Sequence, residues 1–272
     1  MCKTKQEPLP ESSILALIQL ARNYFISSPQ HFITQLEYGD RYFWVKRRPH
    51  EKKRFWHVMQ SALTFLVRLP ILRSTVSKGG AQSLNQEAAQ LRLFASKSIP
   101  VPEVIAVNDE FIITSDVGLQ LQGYLSQLDN DARKSELLCA AAHSLARLHQ
   151  AGLCHGRPSL RDMTLAEETI YFIDLEEEPL AVMSLAQAQA RDIWLFLNNV
   201  ARYTSKKDDL LLRNVFAILN MTLTAETRAA LRQMVMFLRP FRVVVERMIL
   251  PLTGGRDVRC AVKANKVLEQ SL

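Results

Sequence analysis

The chain lacks several sequence features that would assign it to a class directly. Its four cysteines, Cys2, Cys139, Cys154 and Cys260, lie far apart, which excludes the close pairs of a zinc or redox site and favours reduced thiols. Its longest apolar stretches are interrupted by Arg or Pro and are too short to span a bilayer. The N-terminal residues lack the apolar core and cleavage site of a secretory signal. We therefore expect a cytoplasmic protein, with peripheral attachment to a membrane as a second option.

What the chain does contain is typical of a globular protein with a basic excess. With 48% hydrophobic and 22% charged residues over 272 positions, it can bury the core of one domain or of a two-lobed one. The net charge of +7 favours phosphates, an anionic membrane or nucleic acid as partners, although such an excess also occurs in proteins that bind none of these. A basic surface patch is expected where positive charges concentrate, at Lys46, Arg47, Arg48, Lys52, Lys53 and Arg54, beside Phe55 and Trp56.

The hydrophobic pattern changes between helical and strand periods along the chain. Helical spacing predicts helices over 11–25, 50–73, 84–94, 137–149, 210–219, 229–238 and 243–250, followed by a basic polar tail. β-Branched and aromatic residues predict a hairpin over 32–46 and short strands over 104–107 and 111–114. Asp192 precedes an apolar run and is expected to cap the N-terminus of its helix.

The most informative stretch of the sequence runs from 155 to 176. His155-Gly156-Arg157 is followed five residues later by Asp162, and an apolar strand then delivers Asp174 at its end. This spacing resembles the catalytic and metal-binding loops of the protein-kinase-like superfamily, where a His-Gly-Asp or His-Arg-Asp motif precedes an Asn and then a strand ending in Asp. On that resemblance His155 is the leading His, Arg157 stands at the catalytic Asp, Asp162 at the Asn, and Asp174 at the metal-binding Asp.

The first half of the chain carries a second part of the resemblance. Lys46 closes an apolar strand, and Glu87 lies on a helix that runs into Ile99-Pro100-Val101-Pro102. This arrangement resembles aminoglycoside phosphotransferases and lipopolysaccharide (Kdo or heptose) sugar kinases. The resemblance implies that Lys46 contacts the α- and β-phosphates of ATP and that Glu87 pairs with it. A solvated lysine and a solvated glutamate are the alternatives. No G-x-G-x-x-G motif is present, so a glycine-rich phosphate loop is not expected.

The resemblance also implies a fold and its division. We expect an α+β, two-lobed, protein-kinase-like fold with a small β-rich N-lobe and a larger helical C-lobe. The predicted parts are an N-terminal helical extension at 1–31, the N-lobe at 32–117 and the C-lobe at 118–272. Between the lobes, the segment 115–118 corresponds to the hinge whose backbone would bind adenine, so Asp116 and Gly118 are predicted to bind the cofactor. Asp192 corresponds to a helix residue that supports the catalytic loop from below.

The function implied is an ATP-dependent phosphotransferase. ATP and Mg²⁺ are the expected cofactors, with Asp162 and Asp174 as metal ligands, since Mg²⁺ needs only one or two carboxylates beside the nucleotide phosphates. Leu175-Glu176 replaces the Phe-Gly of protein kinases, which favours a sugar hydroxyl of a lipopolysaccharide or another envelope glycolipid as acceptor. The basic N-lobe fits a substrate carried on the anionic inner-membrane surface.

Arg157 departs seriously from the pattern, because a guanidinium cannot accept a proton near neutral pH. Three outcomes are open: Asp162 orients the acceptor instead, Arg157 clamps an anionic acceptor or the transferred phosphoryl group, or the protein is a pseudokinase that binds a nucleotide or a partner without transfer. Nucleic-acid binding through the basic patch ranks last, because no recognised nucleic-acid motif is present.

Overall fold

The computed structural model describes residues 8–47, 81–204, 209–249 and 255–272. The helix predicted over 50–73 lies outside these residues, as do Arg48, Lys52, Lys53 and Arg54 of the predicted basic patch. No helix of the described residues is long and apolar enough to cross a membrane. The three cysteines within them are free thiols.

The N-terminal lobe is built on a four-stranded antiparallel sheet in the order β1-β2-β4-β3. Its strands are β1 (Ile33–Tyr38), β2 (Arg41–Arg47), β3 (Val104–Val107) and β4 (Phe111–Ser115), and its helices are α1 (Glu11–Ser27) and α2 (Ala81–Ser96). Alternate residues of β2 point inward, so that Phe43 and Val45 are fully buried against Leu17 and Phe25 of α1. Helix α1 therefore belongs to the core of this lobe.

The C-terminal lobe is mainly helical and carries one small antiparallel sheet in the order β5-β6-β7. The strands are β5 (Leu119–Gln120), β6 (Met163–Ala166) and β7 (Thr169–Phe172). The helices are α3 (Leu121–Gln127), α4 (Asp131–Gln150), α5 (Leu185–Val200), α6 (Leu210–Asn220), α7 (Ala225–Val244) and α8 (Arg256–Ser271), with short 3-10 turns at Pro179–Ala181 and Ala201–Tyr203 and a π-helical turn at Val245–Ile249. The expected α+β fold class, with a small β-rich N-terminal lobe and a larger helical C-terminal lobe, is confirmed by this arrangement.

Helix α2 connects the two lobes through its packing. Leu84, Leu91 and Phe94 on this helix are buried in the same hydrophobic core as Leu145 of α4 and Phe172 of β7. The helix also packs on β3 and β4 of the N-terminal sheet, and its residues Glu87 and Leu91 line the cleft between the lobes.

Two predictions about the C-terminal lobe are wrong. The basic polar tail is an amphipathic helix, α8, in which Cys260, Ala264 and Leu268 are buried at intervals of four residues. Charged residues lie between these apolar positions along the chain, so the apolar stripe is not evident from the linear sequence. Asp192 is not a helix cap, because α5 begins at Leu185 and is capped by the side chain of Ser184.

Candidate functional site

A cavity of about 510 Å³ lies between the lobes, a volume within the range of small-molecule sites. One part of its wall is apolar, with the side chains of Ile33, Trp44, Leu91, Pro102, Ile112, Val117 and Ile173. The other part is charged and contains Lys46, Glu87, Asp162, Asp174 and Glu176, with Arg161 also on the wall. The cavity therefore offers apolar surfaces for a flat ring system and a charged end for an ionic group.

Lys46 is the centre of the charged end. Its Nζ atom lies 3.0 Å from Glu87 Oε2, 2.8 Å from Asp174 Oδ1 and 3.4 Å from Glu176 Oε2. Burial by itself lowers the pKa of Lys46, but the three surrounding carboxylates outweigh burial and raise that pKa above its ordinary value. Lys46 therefore stays charged, and it lies in the cleft rather than in the surface patch to which the sequence also assigned it.

Glu87 is held in place by its helix and by Lys46. Its side chain is buried on α2, and burial raises the pKa of Glu87 although the charge of Lys46 opposes this shift. The structure thus joins Lys46 and Glu87, two residues that the sequence paired only through the resemblance. A solvated lysine and a solvated glutamate, the alternatives, are not what the structure shows.

Arg157 contacts both carboxylates that were predicted to hold a metal. Its Nε atom lies 4.0 Å from Asp162 Oδ2, and its Nη2 atom lies 3.6 Å from Asp174 Oδ2. The Nε atom also lies 3.5 Å from Glu177 Oε1. Asp162 Oδ2 in addition accepts a hydrogen bond of 2.8 Å from the hydroxyl of Ser159. One guanidinium therefore joins the loop that begins at His155 to the loop that follows β7.

The environments of Asp162 and Asp174 shift their pKa values in opposite directions. Burial raises the pKa of Asp162, and its repulsion by Asp174 adds to that effect. Burial would raise the pKa of Asp174 as well, but the charge and the hydrogen bond of Lys46, with the charge of Arg157, outweigh burial and lower it. Asp174 also adopts a left-handed backbone conformation with φ of 61°.

The loop that begins at His155 is supported from below by Asp192. This fully buried carboxylate accepts hydrogen bonds from the backbone N–H groups of His155, at 2.7 Å, and Gly156, at 2.9 Å. His149 Nε2 lies 3.2 Å from Asp192 Oδ2. Gly156 has φ of 98°, and a side chain there would press against Glu177 Cβ at 3.1 Å. The support of the loop by Asp192, which the resemblance implied, is present.

Asp116 and Gly118 line the cavity at the segment between the lobes. The carboxylate of Asp116 accepts hydrogen bonds from Gln35 Nε2, Trp44 Nε1 and the N–H of Gly118, at 3.0, 3.3 and 3.0 Å. The N–H of Asp116 itself donates to the carbonyl of Tyr42. These groups hold the segment in shape, and a contact between its backbone and adenine stays a prediction.

The sequence interpretation gave no role to two acidic residues that the structure places at the site. Glu176 contacts Lys46, and Glu177 contacts Arg157 at 3.5 Å and Arg191 at 3.8 Å. In the sequence, only Leu175 separates Asp174 from the run Glu176-Glu177-Glu178. This closeness to Asp174 was the available indication that these acids would lie at the cleft.

Asp162 and Asp174 have the oxygen ligands that Mg²⁺ prefers, but their surroundings do not fit a resident ion. Asp174 faces Lys46 through one oxygen and Arg157 through the other, and the same guanidinium faces Asp162. Among the residues that the structure describes, no group of three or more His, Cys, Asp or Glu side chains is arranged to hold a metal. A divalent ion would have to displace Arg157.

Comparisons with known proteins do not assign this chain to a family. No protein-family model matches the chain. An uncharacterised protein of Haemophilus influenzae is 26% identical over 145 residues, which is 53% of this chain and 52% of that protein, so the match spans about half of each. Among solved structures, the streptomycin–ATP–APH(2″)-IIa ternary complex covers 89% of this chain and 97% of its own, with 12% identity and a TM-score of 0.35. Likeness at that level supports neither a residue assignment nor an activity.

Proposed function

We propose that this chain binds ATP in the cleft between its lobes and transfers the γ-phosphoryl group to an alcohol. The observation that supports this function is the contact of Lys46 with Glu87 and Asp174 at the charged end of the cavity. These residues come from β2, α2 and the loop that follows β7, and they correspond to the cation and acid set that positions nucleotide phosphates in kinase-like proteins. The apolar walls offer the adenine ring a site next to that set.

The transfer chemistry asks mainly for positioning and charge stabilisation. A bond forms between the acceptor oxygen and the γ-phosphorus, the bond from that phosphorus to the bridging oxygen of ADP breaks, and the hydroxyl proton passes to Asp162. A carboxylate with a raised pKa is the better proton acceptor of the two aspartates. Lys46 and Arg157 supply positive charge beside the transferred group.

The acceptor that we propose is a sugar hydroxyl of an envelope glycolipid. Leu175-Glu176 after Asp174 supports this choice through the resemblance to sugar kinases. The net charge of +7 is compatible with a substrate presented on the anionic inner-membrane surface.

A second candidate function is that of a pseudokinase, which binds ATP and transfers nothing. The observation that favours it is Arg157, which stands where the base is expected and lies 3.6 Å and 4.0 Å from the two aspartates. A guanidinium at this position can contact phosphates but cannot accept the proton of an acceptor hydroxyl.

Labelled γ-phosphate distinguishes the two candidates. The wild-type protein and Asp174→Asn would be incubated with labelled ATP and an envelope glycolipid extract, with Asp131→Asn as a control on the surface of α4, where the Asp131 side chain is 94% exposed. Asparagine is chosen because it tolerates the left-handed backbone of Asp174. Label transfer that disappears only in Asp174→Asn supports the transferase. ATP binding without transfer supports the pseudokinase, and absence of ATP binding contradicts both.

A further inference from the structure

A cation of the protein lies beside the two aspartates of the cavity wall, at the place where kinase-like proteins recruit a metal ion from solution. The Arg157 guanidinium lies within ion-pair distance of Asp162, through Nε, and of Asp174, through Nη2. In a metal-dependent site, a divalent ion relieves the repulsion between two such carboxylates and screens them from the phosphates. The guanidinium is placed to do both, because it is permanently charged.

The contacts of Asp174 also favour a cation of the protein over a metal ion at this place. Its Oδ1 atom is bonded to Lys46 Nζ at 2.8 Å, while its Oδ2 atom faces Arg157 Nη2 at 3.6 Å. Both oxygens therefore already have a cationic neighbour. A metal ion that bound here would lose part of its water shell and would have to move the guanidinium away from Oδ2.

The position of Arg157 also lets it reach a ligand. Its side chain is 54% exposed, whereas that of Lys46 is 21% exposed. Glu177 holds the guanidinium from a third side, at 3.5 Å from Nε. A guanidinium has five N–H donors in a planar fork that matches phosphate oxygens, so it can contact the carboxylates and a phosphate together.

We propose that the guanidinium of Arg157 takes the place of the divalent cation in nucleotide binding, so that the cleft binds ATP equally well with and without Mg²⁺. This inference rests on ATP binding in the cleft, which both candidate functions share. It replaces the predicted metal with a side chain of the protein.

The test is equilibrium binding of ATP, measured by titration calorimetry in Mg²⁺ and in EDTA. We expect the wild-type dissociation constant to change by less than about twofold between the two conditions. In Arg157→Ala, affinity in EDTA should fall by about tenfold or more, since the carboxylates then repel the phosphates, and Mg²⁺ should restore most of it. Arg157→Lys keeps the charge without the fork and should fall between the two.

Arg22→Ala is the matched control, because Arg22 is 49% exposed and pairs with Glu110, neither of which lines the cavity. It removes one positive charge and should leave binding unchanged in both conditions. Binding of Mn²⁺ without nucleotide, followed by electron paramagnetic resonance, gives a second readout: Arg157→Ala should gain Mn²⁺ affinity over the wild type.

The outcomes distinguish failure of this inference from failure of the proposed function. If the wild-type protein binds ATP at least about tenfold more weakly in EDTA than in Mg²⁺, the inference is wrong while ATP binding stands. If Arg157→Ala keeps metal-independent affinity, the guanidinium is not the substitute cation. If the wild-type protein binds no ATP under either condition, the proposed function itself fails. The wild-type comparison needs no variant, so it holds even if a substitution prevents folding.

Discussion

The charged part of the cleft is divided between two cations, and the surroundings of Lys46 (the Lys46 end) differ from those of Arg157 (the Arg157 end) in ion-pair length and burial. At the Lys46 end, contacts to Glu87 and Asp174 are 3.0 and 2.8 Å long and the lysine is largely buried. At the Arg157 end, the ion pairs are 3.5 to 4.0 Å long and the side chain is half exposed. The Lys46 end is therefore held more tightly by the fold than the Arg157 end.

Removal of each cation in turn tests this difference most directly. Lys46→Met should lower the free energy of unfolding by about 4 kcal/mol, because it leaves the buried carboxylate of Glu87 without its cation and removes one of the two cations beside Asp174. Arg157→Met should lower it by less than about 1 kcal/mol, as expected for exposed ion pairs. Urea denaturation without ligand measures both. Equal losses in the two variants would show that the ends are not built differently.

The support beneath the Arg157 end should matter more for stability than Arg157 itself. Asp192→Ala leaves the buried N–H groups of His155 and Gly156 without an acceptor, so a loss of about 3 kcal/mol is expected. Asp131→Ala, which removes an exposed carboxylate from α4, should change stability by less than about 0.5 kcal/mol. Denaturation of both variants is the measurement, and a loss below about 1 kcal/mol for Asp192→Ala would contradict a supporting role.

The sequence predicted the local elements of the cleft well, because their physical causes are local. The hairpin that carries Lys46, the helix that carries Glu87 and the strand before Asp174 follow from the period of apolar residues over a few positions. Their convergence was proposed only through a resemblance, since no pattern within one element determines which side chains of distant elements meet.

Other features of the site depend on the packing of the whole lobe. Asp192 lies inside α5 and not at its start, because the capping box of Ser184 and Gln187 begins the helix earlier. The contacts of Glu176 and Glu177 with Lys46 and Arg157 depend on the turn that follows Asp174. A run of acidic residues in sequence gives no information about which of them faces a cation.

Two glycines with left-handed backbones give a smaller, matched comparison: Gly118, in the segment between the lobes, and Gly152, which follows α4. Gly118 has φ of 90°, and a Cβ atom there would lie 2.3 Å from the backbone oxygen of Leu165, whereas Gly152 has φ of 74° and no atom within 4 Å of such a Cβ. Gly118→Ala should therefore cost about 2 to 3 kcal/mol, and Gly152→Ala only about 1 kcal/mol for the backbone strain. Similar losses in urea denaturation would mean that the close approach of Gly118 to β6 is unimportant.

The smallest expected effect is on the pH dependence of stability, which should differ between the two aspartates that Arg157 contacts. Because burial raises the pKa of Asp162 in the folded state, the folded protein holds that proton more tightly, and stability falls as pH rises from the unfolded value of 3.8 through the raised value. Asp174 has a lowered pKa, so its contribution is present above 3.8 and is lost as pH falls through the folded value.

In the wild type, Asp162 should make stability fall as pH rises, and Asp174 should make stability fall as pH decreases. Asp162→Asn should therefore abolish the first dependence, and Asp174→Asn should abolish the second. Each slope is limited to about 1.4 kcal/mol per pH unit for one proton. Urea denaturation of the wild type and both variants between about pH 3 and about pH 7 measures the difference. Slopes of the same sign would mean that Lys46 and Arg157 neutralise the two carboxylates alike. Opposite slopes would show that Lys46, which contacts Asp174 directly, distinguishes them.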